Sequence, residues 1–353
     1  MIFEPHFDIE KEHEHSGMLD WLSLKINLMH LSEPVVRHLQ SLSGMVFKIN
    51  ALTGEEDWRT YCWTKIPSDS TDIHFRVTDS LHIQGSPARI GMPNNVFGAI
   101  DIRYCAQKMI GFAAQQLGYP LPVIESWGCT RIDVTRNYLM QSESEARQAL
   151  AYLKQAPESR QAHSYEQNGF YIGKGSSLQK GKIYLKGREA VANQRKKRRA
   201  HYTEEQLSKC QRLLRAEHTI GRHLLRRLRE QQAIEWYQLS PNYLIQMHNL
   251  YFKEYFSDME LTDMSTILEK LTTVSPTEGQ ARAAYDCYVR IRMVGYEQAR
   301  VTFTKPSWYR HIKHLKAIGL TRADLQPINV IPLRKRAIEL SQPIRHWDDI
   351  RAA

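Results

Sequence analysis

The chain has 353 residues, of which 42% are hydrophobic, enough for two domains and a sizeable core. Its formal net charge of +10 calls for a polyanionic partner. Five scattered cysteines (Cys62, Cys105, Cys129, Cys210, Cys287) show no CxxC or Cys/His finger spacing, which excludes a disulfide framework and a structural zinc. No apolar run nears the roughly 18 residues of a membrane-spanning helix and the N-terminus lacks a signal-peptide pattern. A reduced, soluble, cytoplasmic protein is expected. The charge is unevenly placed. Residues 181–230 hold 15 Lys and Arg against 5 Asp and Glu, a surplus that equals the whole net charge, whereas residues 1–20 hold six acids and one lysine.

In chain order, MLDWLSLKINL (18–28) reads as a first strand, and DIHFRVT (72–78) and SLHIQGS (80–86) as a later pair. SPARIGMPNNVFG (86–98) clusters Gly, Pro and Asn as a loop does. AIDIRYCAQKMIGFAAQQLG (99–118) has helical spacing and stops on Gly118, CTRIDVTRNYL (129–139) alternates as a strand, and ESEARQALAYLKQ (143–155) is a helix opened by Ser142. NGFYIGKGSS (168–177) and GKIYLK (181–186) form a glycine-linked hairpin, and the alternation of Leu213, Arg215, Glu217 and Thr219 makes LLRAEHTIG (213–221) a strand. Strands mixed with two long helices in this order predict an α+β domain, an antiparallel sheet with covering helices. From about residue 235 the pattern turns helical, with GQARAAYDCYVRIRMVGY (279–296) and KPSWYRHIKHLKAIGLTRADL (305–325), the latter reading as helix, Gly turn, helix start. The expected domains are 1–235 and a smaller, mainly helical 255–345.

Tyr184 in GKIYLKGRE (181–189) is the first chemical candidate. Residues two apart on a strand face the same way, so the spacing places Lys186 beside its hydroxyl. The block RKKRR (Arg195, Lys196, Lys197, Arg198, Arg199) follows within a dozen residues. A tyrosine beside cations can attack a DNA phosphodiester and keep the cut end; the competing reading is an ordinary amphipathic strand residue. Four strands put polar groups on what should be one face of the sheet. His82 and Gln84 project together, Arg131, Asp133 and Thr135 share a face, Glu217 sits among Arg215 and Thr219, and Asp20 opens an apolar run. His82, Asp133 and Glu217, with Asp20 or Gln84 as accessory, could hold a divalent ion such as Mg²⁺ or Mn²⁺. Against this, each carboxylate could be paired with an arginine and His82 could be structural. Arg89, Arg131 and the basic block suit phosphate contact. Lys305, Arg310 and Lys313 lie on a helix that could enter a helix-turn-helix, or simply be its solvated face. His13 and His15 read as solvated. His223 and Arg226 form an HxxR, but Tyr237 follows too closely and the preceding region is too strand-rich for a tyrosine recombinase.

The segments SPARIGMPNNVFGAIDI (86–102), TRIDVT (130–135), IYLKGRE (183–189), LLRAEHTI (213–220) and GYEQARVTFTKPSWYRHIKHLKAIGLTRADL (295–325) carry a resemblance over most of the chain. In this order they resemble the rolling-circle replication initiators of filamentous bacteriophages, the gene II/X-type proteins, and their plasmid-borne relatives. The resemblance implies a site-specific nickase and religase. It would cut the plus strand of a replication origin, stay joined to the 5′ phosphate through a tyrosine, and later rejoin the ends. It maps the nucleophile to Tyr184 with Lys186 alongside, and the metal acids to Asp133 and Glu217. It implies origin DNA as partner, in a bacterial host cell, with an oligomer on the origin allowed. No GxxxxGK[ST] loop is present, so unwinding would fall to a host helicase. The competing function is a non-catalytic origin-binding or regulatory protein.

Overall fold

The computed structural model describes residues 15–66, 73–140, 142–154, 163–195, 201–256, 264–320, 325 and 343–350. Among the described residues the strands are β1 Met18–Asn27, β2 Met45–Ile49, β3 Glu56–Tyr61, β4 Thr64–Lys65, β5 His74–Val77, β6 Ser80–Gly85, β7 Gly128–Leu139, β8 His163–Glu166, β9 Gly169–Ile172, β10 Gln179–Leu185, β11 Leu213–Gly221 and β12 Pro343–Ile344. The helices are α1 Glu33–Leu42, α2 Ile102–Leu117, α3 Glu143–Leu153, α4 Lys186–Arg195, α5 Glu204–Gln211, α6 Arg222–Gln232, α7 Pro241–Tyr251, α8 Lys253–Phe256, α9 Met264–Val274, α10 Glu278–Val294, α11 Tyr296–Arg300 and α12 Lys305–Ala317.

All of the described strands except β2 and β3 make one antiparallel sheet in the order β4-β5-β6-β1-β7-β11-β10-β9-β8, with β12 also pairing with β7. The predicted α+β class is therefore observed. The strand alternation decides which face is covered. Leu22, Leu24, Leu81, Ile83, Ile132, Val134 and Ile220 point to one face and are buried with α2, α6 and α7. Ile183, Leu185, Leu214 and Ala216 continue that face into a second cluster with α3 and Phe252. The opposite face carries the polar set, as an antiparallel sheet with one solvated side permits. At one end this polar face is roofed. Val96 and Phe97 from the loop after β6, Ala190 of α4, Tyr202, and Cys210 of α5 pack there with Leu213.

Helix α2 starts later than its apolar spacing suggests because the Asp101 side chain accepts from Tyr104 N at 3.0 Å and caps it. It ends on Gly118, as predicted, with φ at +74°, a conformation favoured by glycine. The sheet's packing runs on past residue 235 into the interval left between the two expected domains. Leu244 of α7 joins the main core, and Phe252 and Tyr255 the second cluster. Beyond it, α9 to α12 bury their own core around Leu271, Ala284, Ile291, Trp308 and Leu315. That helical region does not run unbroken to 345. Pro343 and Ile344 return to the sheet opposite Tyr138 and Asn137, and Trp347 meets Phe97 edge-on at 5.2 Å. The hairpin β2–β3 and helices α1, α4 and α5 are additions to the elements expected from the sequence pattern.

Candidate active site on the polar face of the sheet

Tyr184 lies next to the end of β10, paired across the ladder with Arg215 of β11 and Gly169 of β9. Its phenol donates to Glu217 Oε1 at 2.6 Å. Glu217 is two residues along β11 from Arg215 and so shares its face. Fully buried Arg215 ties the neighbourhood together. It donates through Nε to Asn137 Oδ1 at 2.8 Å, through one terminal nitrogen to the Asn95 and Val96 carbonyls at 2.8 Å, and through the other to Asp20 Oδ2 at 3.4 Å. Asp20 sits where the β1–β7 register shifts. Its other oxygen accepts from Ser86 Oγ at 3.2 Å and Asn95 Nδ2 at 2.8 Å. The SPARIGMPNNVFG loop therefore fixes an acid of the sheet, and the chain needs a serine and an asparagine there to satisfy a carboxylate taken from water. Lys182, opposite Glu217, places its ammonium over the rings of Tyr184 at 4.3 Å and Tyr171 at 5.1 Å.

Burial, then the charges of Glu217 and Glu189, push the Tyr184 hydroxyl well above its ordinary range. Burial and the neighbouring Asp20 push the Glu217 carboxyl up to about 7, against the pull of Arg215 and Lys182. The site thus holds a protonated phenol hydrogen-bonded to a carboxyl poised near neutrality. That pairing suits proton transfer from the phenol to the acid.

The structure brings Tyr184, Glu217 and Asp20 together through Arg215. Asp133 is on the same face, paired with Thr219 and Trp21, but Arg131 holds it, Nε to Oδ1 at 2.8 Å. Arg131, expected to meet phosphate, is thereby committed to an acid in this arrangement. His82 and Gln84 do face the polar side, opposite Leu81 and Ile83. His82, however, lies opposite Lys25 near the far end of the sheet, with Thr78 Oγ1 at 3.3 Å from Nε2. Three strands and about seven residues of rise separate it from Glu217, more than about 20 Å. It does not join the acids.

Lys186 corrects the spacing argument. The strand ends at Leu185 and Lys186 opens α4. Its fully buried ammonium bonds Asn95 Oδ1 at 2.9 Å and Glu189, while the phenol's partner is Glu217. Burial opposes the charge of Glu189, but Lys186, Arg215 and Asn193 hold it ionised below the usual range. Arg89 donates to the Pro93 carbonyl and closes its own loop. Arg195 ends α4, and Lys196, Lys197, Arg198 and Arg199 lie outside the described residues. Lys305, Arg310 and Lys313 are exposed on α12, whose other side buries Trp308, Ile312 and Leu315. The second helix expected after Gly319 falls outside the described residues, as does His13; His15 is half-buried beside Met18 and Phe97. Sequence reasoning did not assign Arg215, Asn95, Ser86, Lys182 or Glu189 to the site. Arg215 and Lys182 alone carried a signal, by sharing a strand face with Glu217 or Tyr184.

Among the described residues no three His, Cys, Asp or Glu side chains cluster as a metal site. Asp20 and Glu217 are the acids whose charges meet here, with burial first and then Asp20 raising the Glu217 carboxyl. Carboxylate oxygens are the donors a hard divalent ion takes, although both Asp20 oxygens already accept from Arg215, Ser86 or Asn95.

Two structural expectations follow from this packing. Arg215→Ala would deprive Asp20, Asn137 and two carbonyls of a shared donor and is expected to cost about 3–5 kcal/mol, read as a lowered urea midpoint. A Cβ added at Gly169 would come within 2.6 Å of Tyr184 Cβ and 2.7 Å of the Ile183 carbonyl, so Gly169→Ala should cost about 1–3 kcal/mol by the same measurement.

With that geometry in hand, comparison with known proteins places the chain. The family model for the N-terminal part of the phage replication-associated protein of gene II type matches residues 18–249, the span that builds most of the sheet and its covering helices. The replication-associated protein of that type from Salmonella phage IKe is 23% identical, with 76% of this chain and 74% of the relative covered. The matched span includes the strands that carry Tyr184, Glu217 and Asp20 and the loop that holds Asp20. The chain belongs to the gene II family of phage replication-associated proteins.

Proposed function

We propose that this protein initiates and terminates rolling-circle replication by nicking and rejoining one strand of an origin through Tyr184. The observation that carries the reading is the 2.6 Å hydrogen bond from the phenol to a carboxyl pushed up to about 7, in a member of a replication-associated family. In the proposed step the Tyr184 oxygen attacks the scissile phosphorus as its proton passes to Glu217. The bond from phosphorus to the 3′ oxygen breaks, that oxygen leaves with the bonding pair and takes a proton from water to become a hydroxyl, and the 5′ phosphate stays on the tyrosine. Because the phosphodiester energy is kept in the phosphotyrosine, the reverse attack by a 3′ hydroxyl rejoins the strand without a nucleotide cofactor.

Arg215 supports this by holding Asp20 and the Asn95 loop in place, and Lys182 adds positive potential where a phenolate forms. Asp20 and Glu217 are the residues that would hold Mg²⁺ or Mn²⁺, and when bound the ion supplies charge withdrawal from a phosphate oxygen. Asp133, with Arg131 on its carboxylate, is proposed as a site residue that joins them only if that pair opens. Host helicase and assembly of several copies on the origin belong to the same proposal.

The test is a supercoiled plasmid bearing the replicon's own origin, incubated with the protein and Mg²⁺ or Mn²⁺. Nicked circles with protein attached to the 5′ end support the reading. Binding of the origin with neither nick nor adduct under both metals would establish the binding-only function, which the burial of Tyr184 (6% exposed) favours.

A further inference from the structure

The polar face of the sheet continues past Tyr184 and Glu217 through Thr135, Thr219 and Asp133, and beyond them it carries a run of cations and aromatic rings. Trp21 faces outward opposite Asp133, two residues along from the Glu217 level, with the Arg131 guanidinium over its ring at 5.4 Å. Its indole Nε1 donates to Ser23 Oγ at 3.1 Å, which fixes the ring's orientation. Next along the face come Lys25 and His82, directly opposite one another, and then Arg76, opposite His82. Arg76 lies over the ring of Trp63 at 4.9 Å, and Trp63 meets His82 edge-on at 6.3 Å. Trp63 is 38% exposed. Arg76 Nε is buried with no hydrogen-bond partner among the described residues.

The run crosses from β11 to β5 and covers roughly 30 Å by strand spacing and rise. Beside Lys25 and His82 a groove of about 570 Å³ opens, edged by Arg222, Arg226 and Arg229 against Glu125 and Glu235. Glu125 is held by Arg103 and Arg226 lies 3.8 Å from Glu230, yet Lys25, Arg222, Arg226 and Arg229 outnumber the two acids of the lining, so the groove is positive on balance. Asp79, a further acid at this end, accepts from Thr78.

Flat rings set among cations match a single nucleic-acid strand, in which phosphates alternate with bases. We propose that this diagonal is a single-stranded DNA track. Bases stack on Trp21 and Trp63, phosphates meet Lys25, Arg76 and the groove arginines, and the strand beside the scissile phosphate is led from Tyr184 toward β5. The direction of travel rests on the nicking reading above; the existence of the track does not. His82, remote from the acids, belongs to this surface, where it orients Trp63.

The experiment uses the full chain carrying Tyr184→Phe, so that no cleavage competes with binding. A labelled dT oligonucleotide of about 12 nucleotides and an abasic oligonucleotide of the same length are titrated by fluorescence anisotropy at several salt concentrations. Trp21→Ala and Trp63→Ala should each weaken dT binding about tenfold and leave abasic binding unchanged, because only bases stack. Trp21→Phe and Trp63→Phe should recover most of the loss. Lys25→Gln and Arg76→Gln should weaken both oligonucleotides and each lower the salt slope by about one phosphate contact. The proposal is overturned if the tryptophan variants, folded by circular dichroism, bind dT as tightly as the parent, or lose abasic and dT affinity equally. A parent that never nicks its origin while the tryptophan variants lose dT affinity would leave the track standing and remove the nickase. A nicking parent with tryptophan-independent binding would do the reverse.

Discussion

Tyr184→Phe should bring origin nicking below detection, at least about 10⁴-fold down, with no protein attached to the 5′ end of the DNA. The change removes one oxygen and keeps the ring, so the cation–ring contact with Lys182 and the packing beside Gly169 persist. What is lost locally is the hydrogen bond to Glu217, which leaves that buried carboxyl without its phenol donor at a cost of about 1–3 kcal/mol. Stability is therefore expected to fall modestly, origin affinity to change little, and activity to vanish. The assay pairs gel analysis of supercoiled origin plasmid with detection of the covalent adduct. Nicking by the phenylalanine variant at the parent's rate would remove Tyr184 as nucleophile. Glu217→Ala in the same assay keeps the phenol but removes both its proton acceptor and one of the two proposed ion ligands. Its loss should be at least about 10²–10⁴-fold, the usual worth of a positioned general base alone.

The sheet and its polar face were legible because alternation is local. Leu81, His82, Ile83 and Gln84 settle their faces by neighbours one residue away, and the same holds for TRIDVT and LLRAEHTIG. Position along the face was not legible. His82 and Glu217 share a side and stand far apart, because register is set by pairings such as Lys25 with His82 and Thr135 with Glu217, which no single strand encodes. The surroundings of Lys186 were hidden for a related reason. Period-two counting assumes the strand goes on, but KGREA packs as the first turn of a helix whose lysine reaches back to Asn95, 91 residues earlier. Asp20 was noticed for interrupting an apolar run. Its partners, Ser86, Asn95 and Arg215, come from 66 to 195 residues away, so only the fold assembles them.

Glu217 should also set the pH dependence of both activity and stability, in opposite senses. Its carboxyl is raised in the folded chain from an ordinary 4.5 to about 7, first by burial and then by Asp20. Proton acceptance from Tyr184 needs the ionised form, so nicking should rise about tenfold per pH unit below about 7 and level off above it. A divalent ion held by Asp20 and Glu217 favours the same ionised form, so raising its concentration should move the rise to lower pH. For stability, the folded state binds the extra proton between the two values. Its contribution is complete below about 4.5 and is lost as pH climbs through about 7. Glu217→Gln keeps an acceptor for the phenol and removes the charge, so it should match the parent near pH 5 and become more stable by about 1–3 kcal/mol toward pH 8. Urea midpoints measured from pH 5 to pH 8 decide the matter. Parallel curves for parent and variant would mean that Glu217 ionises normally in the fold, and that the phenol faces an ordinary carboxylate rather than a base tuned to neutrality.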